Sequence, residues 1–137
     1  MYCSHPIARR LRDLVAALAG PLLLIGPVAA ATPAELLSQY SAHSPAQAER
    51  GRQFFTSRHG GEWSCASCHG SQPTLPGRHA ATGKRIATLA PAFSPERFTD
   101  PAKVEKWFRR NCNDVVGRDC TSAEKADILG WLLALRP

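Results

Sequence analysis

The chain has 137 residues, a formal net charge of +6 and 44% hydrophobic residues, which is enough for one small globular domain. The basic excess is modest, and no basic run alternates with aromatic residues. The composition therefore disfavours a nucleic-acid-binding protein and suits docking to an acidic protein partner.

The first 31 residues have the pattern of a secretory signal peptide. The basic segment ARRLRD precedes the apolar run LVAALAGPLLLIGPVAA, and residues 29–31 are the small residues expected at a cleavage site. The run is too short for a membrane span, and Pro21 and Pro27 interrupt it. We therefore predict a signal peptide at 1–31, a mature domain at 32–137, export to the periplasm and no membrane-spanning segment after cleavage.

Two helices are predicted in the first part of the mature domain. TPAELLSQYSAH begins with Thr32 as an N-cap, and a second helix is predicted to start at Ser44 and to end near HGG at 59–61. The second helix carries Gly51 and Phe55 on one stripe. A glycine allows two helices to approach closely, so we expect this stripe to pack against Trp131 near the C-terminus.

Two further helices are predicted after a long irregular segment. Residues 64–99 are rich in Pro, Gly, Ser and Thr and lack helical or strand periodicity, which is typical of a loop wrapped around a large cofactor. TDPAKVEKWFRRN then predicts a helix capped by Asp100, and TSAEKADILGWLLAL a last helix that opens with a capping box of Thr121 and Glu124. The predicted fold class is all-α.

The motif SCASCHG contains C-x-x-C-H, the attachment signature of c-type haem. Two thiols, Cys65 and Cys68, would bond to the vinyl groups of one haem, and His69 would then coordinate the iron from the proximal side. A redox dithiol would require a βαβ context. A zinc site would require a second closely spaced pair, which Cys112 and Cys120 do not form. The motif predicts one covalently bound haem c.

The second axial ligand of the iron is harder to identify. Met is the usual choice, but the only Met in the chain is Met1. The other candidates are His43, His59, His79, Lys84, Asn111, Asn113 or no ligand at all. His79 follows the motif, and an imidazole binds haem iron more strongly than an amide. Lys84 would first have to lose its proton through burial.

Asn111 lies on the apolar stripe of the third predicted helix. At about 100° per residue, Asn111 falls about 20° short of two turns from Val104, and Trp107 and Phe108 flank that direction. A buried amide needs a partner, which the iron could provide. A role as helix C-cap explains the same position equally well.

Cys112 and Cys120 are the remaining cysteines of the mature domain. Export places them in an oxidising compartment, where they can bridge each other. For so short a loop the chain-entropy account gives about 2.5 kcal/mol. The bridge would hold the end of the helix that carries Asn111, or it would only add stability.

TGKRIATLAPAFSPERFTD, followed by KVEKWFRRNCNDVVGRDCTSAEKADILGWL, resembles the sphaeroides haem protein family of bacterial monohaem cytochromes c. The resemblance runs from about residue 48 to residue 133. KVEKWFRRNC and GRDCT are its most specific parts, and no motif position departs from the family pattern.

The resemblance implies a cytochrome c-like fold with His69 and Asn111 as iron ligands and a Cys112–Cys120 disulfide. It further implies that Asn111 is released on reduction, after which the iron binds oxygen, carbon monoxide or nitric oxide. A dihaem cytochrome c and a membrane cytochrome b are the implied electron donors. A simple electron carrier is the alternative. No general acid stands out near Asn111, which favours an electron-transfer and gas-binding protein over a dedicated enzyme.

Overall fold

The structure is a computed structural model that describes residues 30–137, so almost all of the predicted signal peptide at 1–31 lies outside it. The described elements are α1 (Pro33–Tyr40), α2 (Ala48–Thr56), α3 (Cys65–His69), β1 (Gly77–Arg78), β2 (Arg85–Ile86), a short 3-10 helix (Pro91–Phe93), α4 (Pro101–Val116) and α5 (Ser122–Ala134). Between residues 30 and 137, no helix is both long enough and apolar enough to cross a membrane.

Helices α2 and α5 cross at close range, as the position of Gly51 predicted. A Cβ at Gly51 would lie only 2.0 Å from the carbonyl oxygen of Asp127 in α5, so a larger residue does not fit. Beside this crossing, the Phe55 and Trp131 rings are 5.0 Å apart and both are buried. The expected contact between the Gly51–Phe55 stripe and Trp131 is confirmed.

The predicted start of α2 at Ser44 is wrong, and the reason is a buried carboxylate. The helix begins at Ala48 with Gln47 as N-cap, and Gln47 makes no side-chain cap. Its backbone N–H instead donates to Oδ1 of Asp127 at 2.7 Å. Because Asp127 comes from α5, a pattern local to α2 could not reveal it. Arg50 pairs with the same carboxylate, which is 3% exposed. The predicted end near 59–61 is also too late, because α2 stops at Thr56.

The hydrophobic core has two neighbouring clusters that share α5. One contains Phe55, Ile128, Trp131 and Leu132, and the other contains Leu36, Val104 and Leu129. Phe108 of α4 packs against both. Burying one such large apolar side chain contributes roughly 1.5–3 kcal/mol. The core therefore fixes α1, α2 and α4 around the last helix.

The irregular segment 64–99 contains short elements that the sequence patterns did not predict. Strands β1 and β2 form an antiparallel ribbon with Gly77 opposite Ile86 and Arg78 opposite Arg85. At two residues each, these strands are too short to produce a periodic pattern. The ribbon does not alter the all-α class.

Helix α4 begins where predicted and extends further than predicted. Asp100 caps it by accepting a hydrogen bond from the Lys103 N–H at 3.0 Å. The helix continues beyond Asn111 to Val116 and ends at Gly117, whose φ of 75° is a left-handed conformation. Asn111 is therefore not the C-cap of this helix.

Replacing Gly51 with Ala should lower the free energy of unfolding by about 1–3 kcal/mol or more, because the new methyl group would force α2 away from α5. Urea unfolding of the haem-loaded protein measures this. Gly61→Ala is the matched control, since its Cβ would be 3.7 Å from the nearest atom. Equal losses in the two variants would contradict a close crossing at Gly51.

The contact of α5 with the preceding turn should weaken in acid. The Arg118 guanidinium donates to Glu124 and holds the pKa of Glu124 at about 2, below its ordinary 4.5. Because the folded-state pKa is lowered, the stabilisation is present above pH about 4.5 and is lost as the pH falls towards about 2. In urea unfolding, Glu124→Gln should have a lower free energy of unfolding than the unmodified protein at neutral pH. The difference between the two should shrink as the pH falls through this window. Glu62→Gln is the control, and a gap independent of pH contradicts the ion pair.

Candidate functional site

The C-x-x-C-H motif forms the five-residue helix α3. Ser64 caps this helix: its hydroxyl accepts from the Ser67 N–H at 3.2 Å, and the Ser67 hydroxyl accepts from the Ser64 N–H at 2.9 Å. This reciprocal box stabilises a helix too short to persist alone. Cys65 and Cys68 are three residues apart, so their thiols point to one side of the helix. His69 occupies the last helical position.

The β-ribbon packs directly on α3. A Cβ at Gly77 would lie 2.0 Å from the Cys68 carbonyl oxygen, so the first strand touches the helix backbone. At the tip of the ribbon, the Ala80 N–H donates to Sγ of Cys68 at 3.3 Å. The ribbon thus contacts both the backbone and the sulfur of one predicted attachment residue.

The electrostatic surroundings of His69 favour a neutral imidazole. Burial, together with a smaller effect of the positive charge of Arg97, lowers the pKa of His69 to about 4. Arg97 is fixed by hydrogen bonds to the carbonyl oxygens of Thr88 at 2.9 Å and Ala87 at 3.1 Å. A neutral imidazole has a free electron pair on one nitrogen, which metal coordination requires. The Phe55 ring, 6.1 Å from that of His69, joins the site to the core.

Three large apolar side chains of the described residues are exposed. The exposed fractions of Leu75, Phe93 and Trp107 are 72%, 37% and 45%. A cavity of about 490 Å³ lies along 66–78 and is lined by Cys68, His69 and Leu75 among others. This cavity, with the exposed Leu75 in its lining and Cys68 and His69 beside it, is the candidate binding site.

These residues fit a covalently attached haem. The Cys65 and Cys68 thiols form no disulfide with residues 30–137, and burial raises the pKa of Cys65 to about 11, so that thiol stays protonated. A zinc site fits poorly, because no three His, Cys, Asp or Glu side chains of the described part of the chain come together to hold a metal ion.

Asn111 lies on an open face of α4. It is exposed, whereas Val104 and Phe108 of the same predicted stripe pack into the core. Trp107 is one turn earlier at i−4, so Asn111 shares the face of an exposed aromatic ring. The Asn111 side chain makes no hydrogen bond to any residue of 30–137, in contrast to Asn113, which donates to the Arg109 carbonyl and to Asp119, both at 2.7 Å.

The other candidate ligands are engaged elsewhere or exposed. Nε2 of His59 is 2.9 Å from the Phe54 carbonyl oxygen, and the two rings are 4.2 Å apart. Nδ1 of His79 accepts from the Thr82 N–H at 3.3 Å within the ribbon turn. His43 and Lys84 are exposed, without a hydrogen bond from their side chains to residues 30–137.

A disulfide joins Cys112, in the last part of α4, to Cys120. Cys120 directly precedes the N-cap of α5, so the bridge closes the corner between the two helices. Both cysteines are buried, and the bonds of Asn113 to Asp119 and of Arg118 to Glu124 support the same corner. The residue next to Asn111 is therefore attached covalently to the helix that forms the core.

Sequence patterns missed three contributors to the site. These are the Ser64–Ser67 box, the ribbon that contacts Cys68, and Arg97 near His69. The spacing S-x-x-S was a visible signal for a short helix. Arg97 could not be found in this way, because its partners are backbone carbonyls of an irregular segment.

The chain is similar to several known proteins. A family described as a domain of unknown function (DUF1924) matches residues 41–132. The cytochrome c-type protein SHP of Cereibacter sphaeroides is 51% identical over 127 residues, which cover 88% of this chain and 95% of that protein.

Two solved structures are also similar to this chain. One, described as the structure of oxidized SHP, an oxygen binding cytochrome c, has a TM-score of 0.73 at 52% identity and covers 77% of this chain and 99% of its own. The other is the solution structure of cytochrome c'' from Methylophilus methylotrophus, described as giving insights into haem-ligand detachment. It has a TM-score of 0.64 at 36% identity and covers 77% of this chain and 94% of its own.

Replacing both Cys112 and Cys120 with Ser should lower the free energy of unfolding by about 2.5 kcal/mol, because the unfolded chain regains the entropy of the closed loop. Urea unfolding measures the loss. Reducing the disulfide in the unmodified protein is the control and should cause a similar loss. If the variant no longer carried its cofactor, the bridge would be needed for attachment at Cys65 and Cys68, contrary to this prediction.

Proposed function

This chain belongs to the SHP family of c-type cytochromes and carries one covalently bound haem c, and from that membership we propose that it is an exported cytochrome that accepts electrons and then binds a diatomic molecule. Oxygen is the first ligand to consider, because a relative 52% identical is described as an oxygen binding cytochrome c. Cytochrome c'' is described in connection with haem-ligand detachment, which supports a releasable ligand here.

The surroundings of Asn111 carry this proposal. Its side chain is exposed next to Trp107, has no hydrogen bond to residues 30–137 and lies beside a disulfide. Asn113, two residues later, has the two hydrogen bonds that a structural asparagine would be expected to make. An amide that has no other partner and a fixed backbone position is suited to binding the iron and releasing it. The rings of His59 and His79, in contrast, already have partners.

When bound, haem c supplies an iron that changes between ferric and ferrous states and has a sixth coordination position. The amide oxygen of Asn111 is a hard, neutral donor that holds ferric iron better than ferrous iron. Asn111 would therefore hold the iron in the oxidised protein and would release it in the reduced protein. His69 would hold the iron through a ring nitrogen, and burial, followed by the charge of Arg97, lowers the pKa of His69 and so favours the neutral imidazole that coordination requires.

The remaining parts of the proposal concern location and partners. The segment 1–31 directs export, and a disulfide between Cys112 and Cys120 is typical of an oxidising compartment such as the periplasm. A dihaem cytochrome c and a membrane cytochrome b are the proposed electron donors, as the family resemblance implies.

Replacing Asn111 with Ala should change the ferric absorption spectrum from six-coordinate low-spin towards a water-ligated or high-spin form, with the haem still attached. Asn113→Ala is the matched control on the same helix and should leave the spectrum unchanged. Carbon monoxide should bind rapidly to the reduced form of the parent and of both variants, because Asn111 has already left the site.

Asn111→His tests the gating itself. An imidazole stays bound in the reduced protein, so carbon monoxide binding should slow by at least about ten-fold, in proportion to the small fraction with an open position.

An unchanged ferric spectrum in Asn111→Ala would contradict the role of Asn111 and direct attention to His79→Ala. A reduced parent protein that is low-spin and indifferent to carbon monoxide would instead indicate a simple electron carrier.

A further inference from the structure

The β-ribbon beside α3 carries a concentrated positive charge. Arg78, Lys84 and Arg85 are all exposed on this ribbon. None of the three forms an ion pair with any residue of 30–137. The sequence contains no Asp or Glu between Glu62 and Glu96, so no carboxylate of the segment offsets this charge.

The register of the ribbon places two of these positive charges close together, which destabilises the pairing of its strands. Arg78 lies directly opposite Arg85, and opposite residues of an antiparallel pair project from the same face. Like charges in that arrangement destabilise the pairing. Only one weak contact of 3.4 Å, from Nη1 of Arg78 to the Gly83 carbonyl oxygen, accompanies it. Stability of the ribbon therefore does not explain the arginine pair.

The ribbon also contacts one of the two predicted attachment sulfurs directly. Its tip residue Ala80 is exposed and donates a hydrogen bond to Sγ of Cys68, one of the two attachment sulfurs. An electron delivered at the tip thus has a path of one hydrogen bond to the sulfur that bonds to the haem. The ribbon therefore has both the exposed positive charge and the hydrogen bond to the Cys68 sulfur.

We propose that the ribbon at 77–86 is the docking surface for an acidic redox protein, which transfers one electron to this chain beside Cys68. The partner's one-electron centre would be oxidised and the ferric iron reduced, with no covalent bond made or broken between the two proteins; release of Asn111 would follow as a separate step. This role rests on the proposed function as an electron acceptor. The partner is recognised by carboxylates that face the arginine pair.

The alternatives are less well matched to the charges. Helix α4 also exposes Lys103, Lys106 and Arg109. The negative charges of Glu105 and Asp114 on the same helix offset part of this positive charge. A second copy of this chain is also basic, so the two would repel each other. Three basic residues attract an anionic membrane by only about 1 kcal/mol each, which is too weak for a stable membrane site.

The test is the rate at which reduced flavodoxin, a small acidic one-electron donor, reduces the haem-loaded protein. Replacing Arg78, Lys84 and Arg85 together with Gln should lower the second-order rate constant by about ten-fold or more at low salt, because the steering charge is gone. The difference in rate constant between the variant and the unmodified protein should disappear as the salt concentration is raised from roughly 10 mM to 0.5 M, because salt screens the charges.

The matched control replaces Lys103, Lys106 and Arg109 with Gln, the same change in net charge on α4, and should alter the rate by less than about two-fold. The double variant Arg78→Lys, Arg85→Lys keeps the charge and should therefore keep the rate of the unmodified protein. The ferric spectrum and the reduction potential of each variant establish that the haem site is unchanged.

Three results would overturn the proposal: equal losses in the two triple variants, a larger loss in the α4 variant, or no loss in the ribbon variant. Ribbon-dependent sedimentation with phosphatidylserine vesicles, without an effect on the flavodoxin rate, would assign the charge to a membrane instead. Carbon monoxide binding after dithionite reduction needs no protein donor, so failure of the docking proposal is distinguishable from failure of the gating proposal.

Discussion

The close crossing of α2 and α5 at Gly51 determines where the other parts of the molecule can lie. Because no side chain separates the two backbones there, Phe55 reaches both Trp131 of α5 and His69 of α3. The surroundings of His69 are in this way an extension of the hydrophobic core. Asp127, at the same crossing, receives the N–H of Gln47 and the charge of Arg50, so it fixes the start of α2.

The side of the site that bears Asn111 is held differently. Helix α4 makes its core contacts through Val104 and Phe108, and its later part is joined to α5 by the Cys112–Cys120 disulfide. Asn111 lies between these two attachments with its side chain on the open face. The backbone of this residue is therefore constrained while the amide is free to turn, and these are the two properties that the proposed gate requires.

The sequence predicted those features that depend on neighbours along the chain. The caps at Thr32, Asp100 and Thr121 appear as expected, since an N-cap and its helix are local. The predicted start of α2 was wrong because Asp127, which accepts the hydrogen bond of the Gln47 N–H, is distant in sequence. The ribbon was missed because two-residue strands leave no periodic pattern. At the site, the cysteines and His69 were recognisable from a motif, but the contacts of Arg97 and Ala80 depend on tertiary packing.

A weak axial ligand places a demand on the protein that a strong one does not. An imidazole or thioether would bind the iron even from a mobile segment, because the bond itself compensates for the lost freedom. An amide gains little from the bond, so its position must be established beforehand by the fold. In the proposed gate, the Cys112–Cys120 disulfide would do this, because it constrains the covalent neighbour of Asn111 without adding affinity for either oxidation state. A covalent bridge remote from the iron would stabilise the helix alike in both oxidation states, so under this proposal the difference between ferric and ferrous iron would decide whether the amide stays or leaves.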